Sequence, residues 1–340
     1  MVNRGKTGLS TKAYILDKLR NGGNSFIGGE TLAKGLGVSR VAVWKAVKAL
    51  GEAGYSIEKN ERGYRFANSS QGEDFLYPWE FGEREGYFLY WNMTDSTMDR
   101  ARELAAGSCP GGTVVTAETQ SAGRGRNGRA WISKPGGLFF TLLERPDMAA
   151  ADYIQLTLAV HTALGRAVSR ICGEKARLRW PNDVYVGGKK IAGMLTEFFG
   201  EGDRIRWITL GIGVNINNKP SAPGAANIAQ FRGKPVSRRE TLLAVLCEIK
   251  RGGEFLNSPG GQHRQWNRDA DGIGRRVLVL DTGGGKTKAP EKERIITEGV
   301  FCGIDASGRG MVKTGTGLKN FPPGPVSLLF EPFTGSEEFL

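Results

Sequence analysis

Residues 120–131, QSAGRGRNGRAW, interleave Gly123, Gly125 and Gly128 with Arg124, Arg126 and Arg129. Glycine tolerates positive φ and arginine is a permanent cation, so the stretch combines a flexible backbone with three closely spaced charges and suits an anionic ligand. The glycine spacing satisfies G-x-G-x-x-G, but a dinucleotide fingerprint has to open a helix. Here Trp131, Ile132 and then Lys134-Pro135-Gly136-Gly137 follow, with no apolar period of a helix. Short β-rich runs at 114–117 and 138–143 flank the stretch, which makes it a loop joining two strands. A basic loop that is merely solvated is the competing reading, and only the rest of the chain separates the two.

The chain has 340 residues, more than one core comfortably serves, so two or three domains are expected. Its net charge of +12 is unevenly placed: residues 1–68 hold twelve Lys and Arg against five acids, a balance of +7. Such asymmetry points to an appended module for a polyanion, most often nucleic acid. Within it, residues 11–21 and 29–36 are expected as helices, and Ser39 caps a third. Val41, Val43, Trp44, Val47 and Leu50 are expected on the apolar side of that third helix, with Arg40, Lys45 and Lys48 on the other. Residues 55–59 and 64–66 form strands around the turn Asn60-Glu61-Arg62-Gly63, completing a winged helix-turn-helix. A three-helix scaffold for a protein partner is the alternative.

Cys109, Cys172, Cys247 and Cys302 are scattered, and His161 and His263 are the only histidines. Neither a zinc site, a disulfide framework nor a hydrolytic triad is implied. No secretory leader and no apolar run of about 18 residues is present, so no membrane is expected and the cytoplasm is the default compartment.

Past a polar hinge at 68–72, a strand at 87–91 leads through Thr94-Asp95-Ser96-Thr97 into a helix ending near Ala106. Residues 153–171 read as a long helix. In RWPNDVYVGGKKIAGMLTE, residues 179–197, Gly187-Gly188 is a two-residue hairpin turn that brings Asp183 and Lys190 together. Gly211 and Gly213 in the strand 207–216 mark either a close approach or a bulge. Residues 238–255 are helical, and strands at 276–280, 294–304, 310–312 and 326–330 suggest a small C-terminal β-barrel. GGGKT at 283–287 is not a P-loop, because the earlier glycine it needs is Leu280.

Ser96-Thr97, GRGRNGRAW, WPND at Trp180-Pro181-Asn182-Asp183, KKIAG from Lys189 to Gly193 and GIGVNI from Gly211 to Ile216 together resemble biotin protein ligases. With the winged helix, nearly the whole chain is similar to the bifunctional ligase and biotin operon repressor. The resemblance implies an α+β multidomain chain: a winged helix-turn-helix over 1–68, a class II synthetase-like ligase core with a mixed sheet over 69–271 and an SH3-like barrel over 272–340. It implies biotin and ATP as substrates, Mg2+ as cofactor, and biotinyl-5'-AMP as intermediate and corepressor. The partners implied are a biotin carboxyl carrier protein of acetyl-CoA carboxylase or a related enzyme, operator DNA, and a second copy of the chain once biotinyl-AMP is bound.

Carried onto this sequence, the resemblance makes Lys190, Arg126, Arg129 and Asp183 catalytic. Ser96, Thr97, Met98, Gln120, Arg124, Gly125, Arg126, Lys190 and Gly193 would hold biotin. Arg126, Arg129, Trp131, Asn182, Asp183 and Asn215 would hold ATP, with Trp131 on adenine and Mg2+ held through the phosphates. Ser39, Arg40, Lys45, Lys48 and Arg62 would meet DNA. Two positions depart from the family: Met98 stands where Asn is usual and has no amide to donate or accept, and Arg179 stands for the usual Lys before WPND. Lipoate ligation and biotin sensing without transfer are the rival functions.

Overall fold

A computed structural model describes residues 8–67, 74–220, 222–254, 261–282 and 294–330. The hinge at 68–72 and the loop 283–293 lie outside them. Helix α1 (Thr11–Asn21) starts at Ser10, whose hydroxyl accepts from the Ala13 N–H at 3.2 Å. Helix α2 (Gly29–Leu36) stops at Gly37, which takes φ 73°. Helix α3 (Arg40–Glu52) starts at Ser39, whose hydroxyl accepts from Ala42 N–H. Strands β1 (Ile57–Asn60) and β2 (Gly63–Phe66) pair antiparallel as the wing. A Cβ on Gly63 would lie 2.1 Å from the Ile27 carbonyl oxygen, so the wing is tucked too close to the chain before α2 for any other residue. Ile15, Leu16, Leu19, Leu32, Leu36 and Leu50 are buried in one small core.

One expectation fails in α3. Val43, Ala46 and Leu50 face the core, whereas Val41 is 59% and Trp44 46% exposed. At about 100° per residue, positions 43, 46 and 50 fall on one stripe and position 41 falls nearly opposite it, so the apolar residues of this helix occupy two faces.

The central part of the chain begins with β3 (Phe88–Thr94), α4 (Thr97–Ala106), β4 (Thr113–Gln120) and β5 (Leu138–Glu144). Then come α5 (Tyr153–Cys172), β6 (Arg177–Arg179), β7 (Asp183–Val186), β8 (Lys189–Glu201) and β9 (Arg204–Val214). The short α6 (Ile228–Arg232), α7 (Arg238–Glu254) and α8 (Gln262–Asp269) follow. Seven strands form a mixed sheet in the order β3-β4-β5-β9-β8-β7-β6, parallel only between β3 and β4. Helix α5 covers it and packs in turn on α7 and α8. Helix α8 was not expected from the sequence: in QHRQWNRD only Trp266 is buried, which leaves no apolar period to read.

The C-terminal sheet runs β10 (Arg276–Asp281), β11 (Arg294–Ile304), β12 (Gly310–Thr314), β13 (Gly317–Phe321) and β14 (Val326–Phe330), antiparallel in the order β13-β12-β11-β10-β14. Strand β13 was also unexpected, since only its last residue is even partly covered. This sheet shares one continuous hydrophobic cluster with the seven-stranded sheet and its helices, Phe301 and Val312 included, while the winged helix keeps its own. Polar contacts join the winged helix to the core. The buried Glu80 accepts two 2.8 Å bonds from Arg20 of α1 and also pairs with Arg239 of α7.

Candidate active site

Gly187 and Gly188 take φ 54° and 74°, values that a two-residue hairpin of this twist requires and that other residues rarely adopt. The turn returns β8 along β7 and sets Lys190 Nζ 2.7 Å from Asp183 Oδ2. The hairpin reading of the sequence therefore holds at the level of side chains.

Strand β9 is the floor. Its pairing with β5 and β8 runs in unbroken register through Gly211 and Gly213, so neither is a bulge. A Cβ on Gly213 would lie 2.4 Å from the Trp131 indole, and one on Gly211 would lie 2.5 Å from Met98 Sδ. The glycines are there because side chains from the arginine loop and from α4 press against the strand. Trp131 is bounded on its other side by Lys190, whose Nζ is 5.4 Å from the ring centroid. The buried indole N–H has no partner among the described residues.

The loop over this floor is a closed hairpin in which Trp131 N–H donates to Gly123 O and Gly125 N–H to Arg129 O, both at 2.8 Å. Two of its arginines point to different places. Arg124 forms a two-pronged pair with Asp99 of α4, both bonds 2.7 Å. Arg126 donates to the carbonyl of Gly324, 198 residues away, at 2.8 Å. Next to it Asn127 donates to Thr282 Oγ1 at 2.6 Å. The polar end is wired internally: Gln120 Oε1 accepts from Thr97 N–H at 2.8 Å, and Thr97 Oγ1 accepts from Thr141 at 2.9 Å. Ser96 Oγ accepts from Met98 N–H.

One pocket gathers Ser96, Thr97, Met98, Gln120, Arg124, Gly125, Arg126, Arg129, Trp131, Asn182, Asp183, Lys190 and Gly193. Of the biotin and ATP residues expected from the sequence, Asn215 alone is not in its lining; its Oδ1 accepts from Asn218 in a buried polar cluster behind β9. Asn182 braces the floor by donating to the Met194 carbonyl. Arg179 pairs with Asp271 and is held between the rings of Tyr185 and Phe330, 3.7 and 5.0 Å away. One wall, Ser327 to Phe330, comes from β14. The lining counts five cations, Arg124, Arg126, Arg129, Arg179 and Lys190, against one carboxylate, Asp183. Burial pushes the Arg126 guanidinium down to about 10, with Arg129 adding to the effect and Asp183 opposing it. The site thus holds cations at a desolvation cost that an entering anion relieves.

The profile of the biotin/lipoate A/B protein ligase family matches residues 90–215, and that of an HTH domain matches residues 11–65. The bifunctional ligase/repressor BirA of Bacillus subtilis is 30% identical over 335 residues, spanning 92% of this chain and 97% of that protein. The chain belongs to the bifunctional biotin ligase/repressor family. BirA of Escherichia coli K12 is 26% identical and spans 92% of the chain and 96% of its own length. A solved biotin protein ligase from Aquifex aeolicus, in complex with biotin and ATP, superposes with a TM-score of 0.59 at 27% identity, covering 72% of this chain and 99% of that one. The class II synthetase-like ligase core with its mixed sheet and the N-terminal helix-turn-helix stand on these matches.

In this ligase core, a support behind Asp183 was not legible in the sequence. His161 of α5 is fully enclosed, and Trp266 of α8 donates to its Nδ1 at 3.0 Å. The proton therefore sits on Nε2, which donates to the Asp183 carbonyl at 3.0 Å. Burial pushes this imidazole down to about 4, against a smaller opposing pull from Asp183. An unfolded histidine titrates near 6.5, so between those values the unfolded chain binds the extra proton. The stability that His161 contributes is complete above pH about 6.5 and is lost as pH falls toward 4, by about 2 kcal/mol at pH 5. A His161→Gln protein, which cannot take up that proton, is expected to lose less stability than wild type between pH 7 and 5 in urea titrations. Equal losses would remove His161 as the source.

Proposed function

We infer that the protein is an ATP-dependent biotin protein ligase that also represses transcription through its winged helix. The observation that carries the catalytic half is the single pocket in which the GRGRNGR loop and the Lys190–Asp183 hairpin meet, rich in cations and floored by β9. The biotin carboxylate attacks the α-phosphate of ATP, pyrophosphate leaves, and biotinyl-5'-AMP then acylates a carrier lysine with release of AMP. Two anions have to approach each other, so cations must stand where charge accumulates. Lys190, Arg126 and Arg129 serve there. Asp183, paired with Lys190 at 2.7 Å, serves to orient the incoming lysine or to share the metal.

Among the described residues no three His, Cys, Asp or Glu side chains cluster as a metal site, and Asp183 is the one carboxylate in the lining. That donor set fits Mg2+ carried mainly by the ATP phosphates, where it would neutralise charge on the leaving pyrophosphate. Ser96, Thr97 and Gln120 suit the ureido ring, Met98 packs on the floor where an amide is usual, and Trp131 suits adenine. Residues 1–68, 69–271 and 272–340 are proposed as the three domains, the last as an SH3-like barrel. Operator DNA is taken by two winged helices on an inverted repeat, with biotinyl-AMP bound, in the cytoplasm. No helix among the described residues is long and apolar enough to cross a membrane.

Two assays test the reading. Labelled biotin, and not labelled lipoate, is expected to move onto a carrier domain when ATP and Mg2+ are supplied. Transfer of lipoate alone would assign the core to the other branch of the family. A gel shift on the biotin-gene promoter is expected only with biotin plus ATP, and Arg40→Ala or Lys45→Ala should weaken it while transfer continues. Transfer without any shift would leave the winged helix with a different partner.

A further inference from the structure

The second apolar stripe of α3 has no place in the core. Val41 and Trp44 stand one turn apart, 59% and 46% exposed, while the stripe behind them, Val43, Ala46 and Leu50, is buried. They line a groove between α3 and the wing, with Gly28 and Gly29 of the α2 start along its edge. Arg40, Lys59 and Arg62 line the same groove, and Lys45 and Lys48 are exposed on α3 beside it. Glu30 and Glu61 are its acids, and Glu30 is paired with Lys34 at 2.9 Å. An isolated exposed apolar residue needs no explanation. Two of them, one helical turn apart near the start of the helix and flanked by cations on both sides, match one occupant. A duplex offers phosphates for the cations, and in its major groove the one strongly apolar feature is the thymine 5-methyl group.

We propose that Val41 and Trp44 form an apolar reading surface for thymine methyl groups, with the surrounding cations on the flanking phosphates. The proposal rests on the repressor reading and adds to it the base that the module recognises. In a helix-turn-helix the N-terminal part of the recognition helix meets the base edges, and residues 41 and 44 lie in the first two turns of α3. A protein partner would instead make the patch indifferent to DNA chemistry.

The test pairs deletion of a methyl from DNA with deletion of the side chain that meets it. Duplexes are selected from a random pool with the full-length protein, biotin, ATP and Mg2+, and each thymine of the winner is replaced by deoxyuridine. At least one such replacement per half-site is expected to weaken wild-type binding roughly three- to fivefold, the value of burying one methyl. That penalty should vanish in Val41→Ala or Trp44→Ala, while Arg62→Ala should bind more weakly overall and keep it. Biotin transfer by the two apolar variants, expected unchanged, shows that they fold. A penalty that persists undiminished in both variants, or a winner with no methyl-sensitive thymine, overturns the proposal and leaves the repressor reading standing. Failure to enrich any duplex overturns both.

Discussion

A Lys190→Ala protein is expected to form biotinyl-AMP about 10²–10³-fold more slowly than wild type, the usual loss when one charge aimed at a developing anion is removed. Lys190 is only partly buried and contributes no core volume; its Nζ contacts Asp183 at 2.7 Å and lies over the Trp131 ring. Its loss leaves the hairpin turn and the sheet register untouched, so thermal unfolding should stay close to wild type. Rapid-quench measurement of biotinyl-AMP in a single turnover separates this step from transfer. Lys190→Arg keeps the charge but spreads it over a planar fork, and it should recover only part of the rate. A single-turnover rate in Lys190→Ala equal to wild type would take Lys190 out of the chemistry.

The Lys190–Asp183 pair was legible because its signals are local. Gly187-Gly188 dictates a two-residue turn that folds β8 back along β7; the pairing slips between Val184 and Tyr185, so Lys190 stands opposite Tyr185 and Asp183 opposite Gly193, and the long lysine side chain closes the remaining gap. The ends of α1 and α2 followed from the glycines after them, and the start of α3 from the capping Ser39, for the same reason. What was not legible depends on partners distant in the chain. Arg124 belongs to a glycine-rich anion loop in the sequence, yet its guanidinium is taken by Asp99. The wall from β14 reaches the pocket only through tertiary packing, and His161 is an ordinary position in an apolar helix until Trp266 and the Asp183 carbonyl are brought to it. Asn215 shares a motif with Gly211 and Gly213 but ends beyond the pocket lining, because the strand stops at Val214 and the chain turns behind it. In α3 the apolar count was right and the helical phase was not, and that difference of phase separates a core residue from an exposed one.

Arg126→Ala is expected to release biotinyl-AMP roughly 10–100-fold faster than wild type and to let it label lysines of bystander proteins. The guanidinium does two things in the structure: it donates to the Gly324 carbonyl at 2.8 Å, tying the arginine loop to the chain just before β14, and it lies close enough to Asp183 and Arg129 to feel both charges. Burial lowers its pKa to about 10, so at neutral pH it remains charged while poorly solvated, and the phosphate of the intermediate would restore what water no longer supplies. Hydrogen bonds to a charged group are worth about 1.5–3 kcal/mol, which sets the expected factor. Asn127→Ala is the control, since it removes the neighbouring neutral bond to Thr282 and leaves the cation; neutral bonds contribute about 1 kcal/mol, so release should quicken by no more than about fivefold. Dissociation of labelled intermediate, followed together with biotin incorporation into albumin, measures both consequences. If the two variants release it equally fast, the tie to the C-terminal sheet holds the loop and the charge does not. If Arg126→Ala retains the intermediate as long as wild type, the arginine loop does not hold it, and retention has to come from the floor on which Trp131 lies.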